Sequence, residues 1–293
     1  AAIINASGRP GFWLAPWMCR RHGIPAAWVH HMVEGRDHRR APPRLLGGRM
    51  EGPQFWRVPQ AMRHRMAALG ATAVIVSNDE DRRSVQRWQG VPNRRLHVIP
   101  PGIDCDRYRF DPAARRAWRA SWGCTPSNGR EPFVIGTAVR LVSGKGVERL
   151  LEAFAMLLLL RRANAWLVIA GTGPLRENLT ERVRALFIQD RVLLAGSVDD
   201  MPGFYSGLDV AVLASDTESF GLTLTEAMAC ERAVIATPTA GARRQVEHMR
   251  TGWLLDDFAP ATLTAALEKL ASEPELCHTL GARARPRVVR DFS

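Results

Sequence analysis

The sequence predicts an α/β protein made of two doubly wound lobes, each a parallel sheet covered by helices. Short, continuously apolar runs rich in Val, Ile and Ala alternate with segments of helical periodicity, and this alternation occurs twice along the 293 residues. A Pro-, Gly- and Arg-rich stretch separates the two series. We therefore expect a first lobe with its linker over residues 1–130 and a second lobe over residues 131–293.

The first lobe shows the weaker version of this alternation. Its strands are predicted at Ala2–Asn5, Ala26–His30, Ala73–Ser77 and Leu96–Ile99, and its helices near Trp13–His22 and Asp79–Gln89. The chain opens on Ala-Ala-Ile-Ile without a methionine. We therefore expect this lobe to lack its true beginning and to be incomplete.

The second lobe shows the clearer pattern. Its strands are predicted at Phe133–Thr137, Trp166–Ala170, Val192–Ala195, Asp209–Leu213 and Ala233–Ala236, and its helices at Val147–Arg161, Leu175–Phe187, Leu222–Cys230 and Ala261–Leu270. Two lobes of this kind leave a cleft between them. We expect the ligand site there.

The composition excludes several classes of protein. With 46% hydrophobic and 24% charged residues, the chain is neither disordered nor a coiled coil. Its longest apolar run, Ala153–Leu160, is far shorter than the ~20 residues that cross a bilayer. The five cysteines lie far apart without a C-x-x-C pair, which indicates a reducing, cytoplasmic compartment rather than a disulfide framework or zinc knuckle.

The chain is strongly basic, with 40 Lys and Arg against 29 Asp and Glu and a net charge of +11. The excess lies in the first lobe, where an anionic partner is expected to dock. In Arg36–Arg65 basic residues are interleaved with apolar and aromatic ones, which suits a peripheral contact with an anionic membrane surface. A loop of solvated charges, or a nucleic-acid-binding protein, remains an alternative.

The first candidate site follows the first predicted strand of the second lobe. Arg140 and Lys145 lie in a turn with Gly144 and Gly146, before the next predicted helix. Arginine binds phosphate oxygens through its fork, lysine adds a point charge, and a helix N-terminus attracts anions. We interpret the turn as a phosphate-binding loop, and an exposed loop with solvated charges remains the alternative.

The second candidate site follows the predicted strand Asp209–Leu213. Glu218 lies in a loop, Gly221 opens the next helix, and Glu226 lies on that helix. Carboxylates accept hydrogen bonds from sugar hydroxyls, and the N–H groups of Gly221 and Leu222 suit phosphate. One ligand with hydroxyls, a diphosphate and a ribose fits all of them. A surface glutamate and an acidic residue favoured by the helix dipole remain the alternative.

Five segments, in this order, resemble retaining glycosyltransferases of the GT-B fold, and more specifically glycosyltransferase family 4, the "glycosyl transferases group 1". They are Val98–Asp104, Arg140–Gly146, Leu167–Pro174, Gly196–Pro202 and Glu218–Glu226, of which the last resembles the E-x7-E motif. The resemblance covers nearly the whole chain. It implies two Rossmann-like lobes and transfer of a hexose from a nucleotide-diphosphate sugar to a hydroxyl acceptor, in lipopolysaccharide, glycolipid or exopolysaccharide synthesis.

The resemblance also implies catalytic roles. Arg140 and Lys145 would neutralise the diphosphate and stabilise the leaving group. Glu218 would contact the donor sugar. His31 would face the donor sugar from the first lobe, with His30 as the alternative because strand alternation lets only one of them point inward.

The remaining implied residues bind the nucleotide. Glu226 would contact the ribose hydroxyls, and the backbone of the loop before it would hold phosphate. The full set of implied donor-binding residues is Gly171, Gly173, Phe220, Gly221, Leu222 and Glu226. Members of the family transfer with retention of configuration and need neither a metal nor another cofactor.

Two departures from the family pattern affect these expectations. Many relatives carry a Gly-Gly-x-Pro-Glu segment where this chain has Ala240–Arg244, so Arg244 replaces the expected carboxylate. The first-lobe glycine-rich loop of relatives would lie upstream of residue 1. We therefore expect a nearly complete donor site and an incomplete acceptor site, and an inert or sugar-nucleotide-binding remnant is an alternative function.

Three further patterns fit other chemistries less well. Asp104 and Asp106 form a D-x-D, which binds a cation in other transferases, but here it follows Pro-Pro-Gly in a linker. A cluster with enough zinc ligands lacks the spacing of a helical site; it comprises His30, His31, Glu34, Asp37 and His38. Gly171 and Gly173 begin a dinucleotide fingerprint, but Arg176 stands where its third glycine belongs.

Overall fold

A computed structural model describes residues 2–5, 14–30, 60–124, 126, 131–161 and 164–293 of the chain. The chain folds into two compact units, Ala1–Pro100 and Pro101–Ser293. Both units are parallel sheets with helices in the connections between strands, so the predicted α/β class is confirmed.

In the described part of the first unit, four parallel strands follow one another in the sheet order β1-β2-β3-β4. The strands are β1 (Ala2–Asn5), β2 (Ala26–His30), β3 (Ala73–Val76) and β4 (Leu96–Val98), and the helices are α1 (Ala15–Arg21), α2 (Gln60–Gly70) and α3 (Asp79–Gln89). The strands lie within one residue of their predicted ends. Helix α2 was not predicted, because its buried positions are the small residues Ala67 and Ala68, which give little periodic signal.

The described residues of the second unit form a six-stranded parallel sheet in the order β10-β9-β8-β5-β6-β7. Its strands are β5 (Phe133–Ala138), β6 (Ala165–Ala170), β7 (Val192–Gly196), β8 (Val210–Leu213), β9 (Ala233–Ala236) and β10 (Trp253–Leu254). The strand order reverses between the hydrogen-bonded neighbours β5 and β8. Their carboxyl ends therefore form a topological switch point, the place where open α/β sheets bind ligands.

Helices cover both faces of this second sheet. They are α4 (Pro112–Ser121), α5 (Val147–Arg161), α6 (Arg176–Ala185), α7 (Met201–Gly207), α8 (Leu222–Ala229), α9 (Ala240–Gln245), α10 (Pro260–Ser272) and α11 (Pro274–Phe292). Successive residues of β5 enter different cores: Val134 packs in a cluster with Phe204 and Met228, and Ile135 in one with Leu151. This alternation is the two-sided burial that the continuous apolar strands predicted.

The segment from Pro101 to Cys124 belongs to the second unit, whereas the sequence analysis took it as the linker between the two lobes. Asp209, just before β8, accepts hydrogen bonds from Arg115 and Arg119 of α4, both at 2.6 Å, and from the N–H of Val134 at 2.7 Å. The arginines that suggested a linker are therefore the groups that fasten α4 to the sheet.

Two further observations concern the helices and the cysteines of the described residues. No helix within the described ranges is both long and apolar enough to cross a membrane. The five cysteines, all of them in the described part of the chain, are free thiols, and four of them are buried.

Candidate active site

The two predicted site loops meet at the switch point of the second sheet. The loop after β5 carries Arg140 and Lys145, and the loop after β8 carries Glu218 and leads into α8. The hydroxyl of Thr223, in the first turn of α8, donates to the carbonyl of Ala138 at the end of β5, at 2.6 Å. This bond fastens the start of α8 to the strand that presents the basic loop.

Lys145 and Glu218 form an ion pair although they lie 73 positions apart in the sequence. The Nζ of Lys145 is 2.7 Å from Oε2 of Glu218, and the two side chains are 19% and 13% exposed. Gly146 lets the loop after β5 lie directly against the chain after β8, because its φ is +68° and a Cβ there would lie 1.9 Å from the carbonyl oxygen of Ala214. The structure thus brings together the cation and the carboxylate that the sequence assigned to diphosphate and sugar.

Gly171 and Gly173 support the loop that carries Arg140. A Cβ at Gly171 would lie 1.9 Å from the carbonyl oxygen of Val139, and one at Gly173 would lie 2.3 Å from that of Leu141. The N–H of Leu141 also donates to the carbonyl of Thr172 at 2.9 Å, which leaves the side chain of Arg140 exposed. Both glycines are required for this backbone packing, and their contact with a nucleotide stays a prediction.

The N-terminus of α8 carries no side-chain cap. Gly221 is the N-cap residue with φ +88°, and a Cβ there would lie 2.7 Å from Leu213. Leu222, the first residue of the helix, is exposed, whereas Phe220 is buried and packs edge-to-face on Phe292. Because the N-cap glycine has no side chain to accept hydrogen bonds from the first-turn N–H groups, this helix end suits an anion.

Helix α9 holds the Glu218 loop in place. The N–H of Gly241 donates to the carbonyl of Glu218 at 2.8 Å. The side chain of Gln245 donates to the carbonyl of Phe220 and accepts from the hydroxyl of Thr225 at 2.5 Å. Gln245 is a functional support that the sequence reasoning missed, since nothing in the pattern of α9 singles it out.

Arg244, which replaces the carboxylate expected from the family pattern, lies on α9. Its backbone carbonyl accepts from Nη2 of Arg287 on α11 at 2.9 Å. Arg287 also donates to the carbonyl of Gln245 and pairs with Glu247. Arg287 therefore links the C-terminal end of α9 to α11.

Glu226 is held by two tyrosines that the sequence analysis did not identify. Its Oε1 accepts from the hydroxyl of Tyr108 at 3.2 Å and its Oε2 from the hydroxyl of Tyr205 at 2.7 Å. Burial, together with the neighbouring Glu226 carboxylate, raises the pKa of Tyr108 to about 12 and that of Tyr205 well above its usual range. Both hydroxyls are therefore protonated donors at neutral pH.

Several sequence predictions concern residues that the structure does not describe. His31, the zinc alternative from Glu34 to His38, and the basic segment Arg36–Arg65 up to residue 59 lie outside the described residues. For the D-x-D alternative, Oδ1 of Asp104 accepts from the backbone N–H groups of Asp106 and Arg107, both at 3.0 Å. Asp104 thus stabilises a local turn. Within the described ranges, no three His, Cys, Asp or Glu side chains are grouped so as to hold a metal ion.

Two family descriptions match this chain. Residues 126–287 match "Glycosyl transferases group 1", and residues 1–107 match "Glycosyltransferase Family 4". The first match covers both site loops, α8 and α9. The geometry at the switch point and the family assignment therefore concern the same residues.

Among curated proteins, the chain is 30% identical over 233 residues to the alpha-D-kanosaminyltransferase of Streptomyces kanamyceticus, across 78% of this chain. It is 32% identical over 211 residues to a GDP-mannose-dependent alpha-(1-6)-phosphatidylinositol monomannoside mannosyltransferase of Mycobacterium tuberculosis, across 69% of this chain. These matches span 58% and 53% of the lengths of the two relatives.

Among solved structures, the fold is similar to that of HepE from Anabaena, which was solved in complex with UDP and glucose. The TM-score is 0.82 at 19% sequence identity, and the match covers 99% of this chain and 74% of that one. At this identity the likeness shows the fold. Taken together with the family matches, it means that the chain belongs to glycosyltransferase family 4, the glycosyl transferases group 1, and has the GT-B fold.

Proposed function

We propose that this chain is the donor-binding part of a retaining glycosyltransferase that moves a hexose from a nucleotide-diphosphate sugar to a hydroxyl acceptor. The observation that carries the proposal is the meeting of Lys145 and Glu218 at 2.7 Å, at the switch point of the sheet and beside the uncapped start of α8. Positive charge, a carboxylate and a helix N-terminus at one switch point support the binding of a single ligand with phosphates and sugar hydroxyls.

Each group has a distinct role in the proposed reaction. Arg140, Lys145 and the first-turn N–H groups of α8 bind the diphosphate and stabilise the negative charge that develops on it as the leaving group. Glu218 accepts hydrogen bonds from the hydroxyls of the donor sugar. Glu226 accepts hydrogen bonds from the hydroxyls of the ribose. His31 is proposed, from the family resemblance, to contact the donor sugar.

The transfer breaks the bond between the anomeric carbon and the phosphate oxygen and forms a bond from the same carbon to the acceptor oxygen. The acceptor proton goes to the departing phosphate oxygen, on the face where the new bond forms, so the anomeric configuration is retained. In this proposal the positive charge that the diphosphate requires comes from the protein itself. The reaction then needs neither a metal nor another cofactor.

The acceptor is proposed to be a glycolipid or a polysaccharide intermediate. The name of the Mycobacterium tuberculosis relative specifies phosphatidylinositol monomannoside, and that of a further relative, from Corynebacterium jeikeium, specifies D-inositol 3-phosphate. The basic segment Arg36–Arg65 would bring a lipid-linked acceptor within reach by binding the anionic inner face of a membrane, from the cytoplasm. Flotation with vesicles that contain anionic lipid tests this part, and failure to co-float would exclude it.

Calorimetric titration with UDP, GDP and ADP, with and without EDTA, tests donor binding. We expect one diphosphate to bind, EDTA to leave its affinity unchanged, and Glu226→Gln to weaken it. Glu231→Gln is a matched control. Glu231 follows Cys230, the C-cap residue of α8, and its carboxylate lies 4.0 Å from Arg285, outside the proposed donor site. Absence of binding by all three diphosphates would contradict the proposal in favour of an inert remnant, and strongly salt-dependent binding of RNA would favour a nucleic-acid-binding protein.

Transfer is tested with the matching sugar nucleotide and the candidate acceptors phosphatidylinositol monomannoside and D-inositol 3-phosphate. We expect Lys145→Met to abolish transfer. Proton NMR of the anomeric signal determines whether the configuration of the donor is kept in the product. A product of inverted configuration would contradict the retaining mechanism and leave donor binding unaffected.

A further inference from the structure

The only two tyrosines of the 293-residue sequence donate hydrogen bonds to the same carboxylate. Tyr108 and Tyr205 lie 97 positions apart, yet each hydroxyl reaches a different oxygen of Glu226, at 3.2 Å and 2.7 Å. Phenylalanine would fill the same volume at either position without the hydroxyl. The two hydroxyls therefore need an explanation beyond packing.

Each tyrosine is itself held in place by other parts of the second unit. Tyr205 lies on α7, is fully buried, and packs edge-to-face with Phe204 at 5.4 Å between ring centroids. Tyr108 follows the turn at Asp104, and its carbonyl accepts from Nη1 of Arg285 on α11 at 2.8 Å. The same arginine donates to the carbonyl of Cys105 at 3.0 Å. The two hydroxyls thus reach Glu226 from two separately anchored elements.

The hydrogen-bonding capacity of Glu226 is only half used by the tyrosines. A carboxylate offers about four acceptor positions, two on each oxygen. Tyr108 occupies one on Oε1 and Tyr205 one on Oε2. Among the described residues, the tyrosine bonds leave one position on each oxygen, and Glu226 is only partly buried. Two acceptor positions on adjacent oxygens match the two vicinal hydroxyls of a ribose.

We propose that Tyr108 and Tyr205 are positioning residues that fix the Glu226 carboxylate so that its two remaining acceptor positions bind the 2′ and 3′ hydroxyls of the nucleotide ribose. This inference rests on the proposed function, because it assigns Glu226 to the ribose of the donor. The protonated state of both phenols fits their role as donors, and their raised pKa values extend that state further into the alkaline range. Recognition of ribose is thereby built from three side chains on three different elements.

The test measures how well the protein distinguishes ribose from deoxyribose. The full chain and its Tyr108→Phe and Tyr205→Phe variants are titrated with whichever of UDP, GDP and ADP binds, and with its 2′-deoxy counterpart. We expect the wild type to bind the ribonucleotide about tenfold more tightly, which corresponds to one hydrogen bond to a charged group, ~1.4 kcal/mol. Tyr205→Phe should reduce this ratio more than Tyr108→Phe, because its hydrogen bond is shorter, and the double variant should bring the ratio close to one.

Ser206→Ala provides the matched control. This buried residue is next to Tyr205 on α7, and its hydroxyl donates to the carbonyl of Pro202 and accepts from the N–H of Asp111. The control therefore loses a buried hydroxyl of the same helix without touching Glu226, and its ribose-to-deoxyribose ratio should equal that of the wild type. Thermal unfolding of each variant shows that it is folded under the titration conditions.

The possible outcomes separate the inference from the proposed function. If no diphosphate binds the wild type, the proposed function fails. If the wild type distinguishes ribose from deoxyribose and both tyrosine variants keep the full ratio, donor binding stands and the positioning role is refuted. Equal weakening of both nucleotides, with the ratio unchanged, also refutes it, because that is the result of a purely structural role.

Discussion

Replacing Glu218 by glutamine should increase the affinity for a nucleoside diphosphate. The carboxylate of Glu218 lies 2.7 Å from Nζ of Lys145, the cation assigned to the diphosphate. An incoming diphosphate must share Lys145 with this carboxylate and is repelled by it. Glutamine has nearly the same shape and can still accept a hydrogen bond from Lys145, so the substitution chiefly removes the negative charge.

The size of the effect follows from the distance and the burial. A phosphate charge about 6 Å from the carboxylate is repelled by roughly 0.7 to 2.8 kcal/mol for effective dielectric constants between about 80 and 20. The side chains of Lys145 and Glu218 are mostly buried, at 19% and 13% exposure, so screening by water is partial. A value of ~1.4 kcal/mol, in the middle of the range, corresponds to about a tenfold gain in affinity.

Calorimetric titration of both proteins with the diphosphate and with the corresponding sugar nucleotide measures this gain. The sugar nucleotide should gain less than the diphosphate, since it loses its hydrogen bonds to the Glu218 carboxylate, and the rate of transfer should fall. Asp216→Asn is the matched control. Its carboxylate is in the same loop but pairs with Arg149 at 2.7 Å and is 53% exposed, so the change in affinity should be at most about twofold. If Glu218→Gln binds the diphosphate as the wild type does, or more weakly, the proposed competition for Lys145 is refuted.

Three other changes test the packing around the site. Gly146→Ala should lower diphosphate affinity at least tenfold, because its Cβ would lie 1.9 Å from a carbonyl oxygen. At Gly144 the nearest atom to an added Cβ is 3.9 Å away, so Gly144→Ala should lower the free energy of urea unfolding only by backbone strain of about 1 kcal/mol. Asp209→Asn should lower the free energy of unfolding by about 3 kcal/mol, since it removes the negative charge that Arg115 and Arg119 share; a loss below about 1 kcal/mol would contradict this. Burial raises the pKa of Cys230 and of Cys277 to about 12, so the folded state keeps protons that the unfolded chain loses above pH 9. The free energy of unfolding measured in urea should therefore fall between pH 9 and 12. The fall should be smaller in the double variant Cys230→Ala, Cys277→Ala.

The sequence predicted the central strands of the second sheet well because they are buried on both faces, and it missed the two-residue edge strand β10. A strand such as β9, Ala233–Ala236, is apolar at every position, and its predicted and observed bounds coincide. The pattern failed for the short helices α7 and α9, since seven and six residues are too few to establish a helical period. It failed for α4 for another reason. The fully buried position of that helix is Arg119, and arginine is usually a surface residue.

Some site residues could be predicted from the local sequence, whereas others are brought to the site only by the fold. The turn with Arg140 and Lys145 and the helix start at Gly221 were found because strand, glycine and helix follow one another along the chain. The pairing of Lys145 with Glu218 depends on the strand order, which brings β5 and β8 together. Single tyrosines carry no periodic or spacing signal, so Tyr108 and Tyr205 were found only once the fold placed them on Glu226.

The position of the boundary before the second unit decides whether its site can form alone. A fragment that begins at 131 lacks Tyr108, one of the two donors to Glu226, and also α4, whose Arg119 is 5% exposed and pairs with Asp209. A fragment over Pro101–Ser293 keeps all of these contacts. We therefore expect the longer fragment to unfold cooperatively and to bind the diphosphate, and the shorter one to lose both properties. Equal urea midpoints and equal diphosphate affinities for the two fragments would show that the segment before 131 contributes nothing to the donor site.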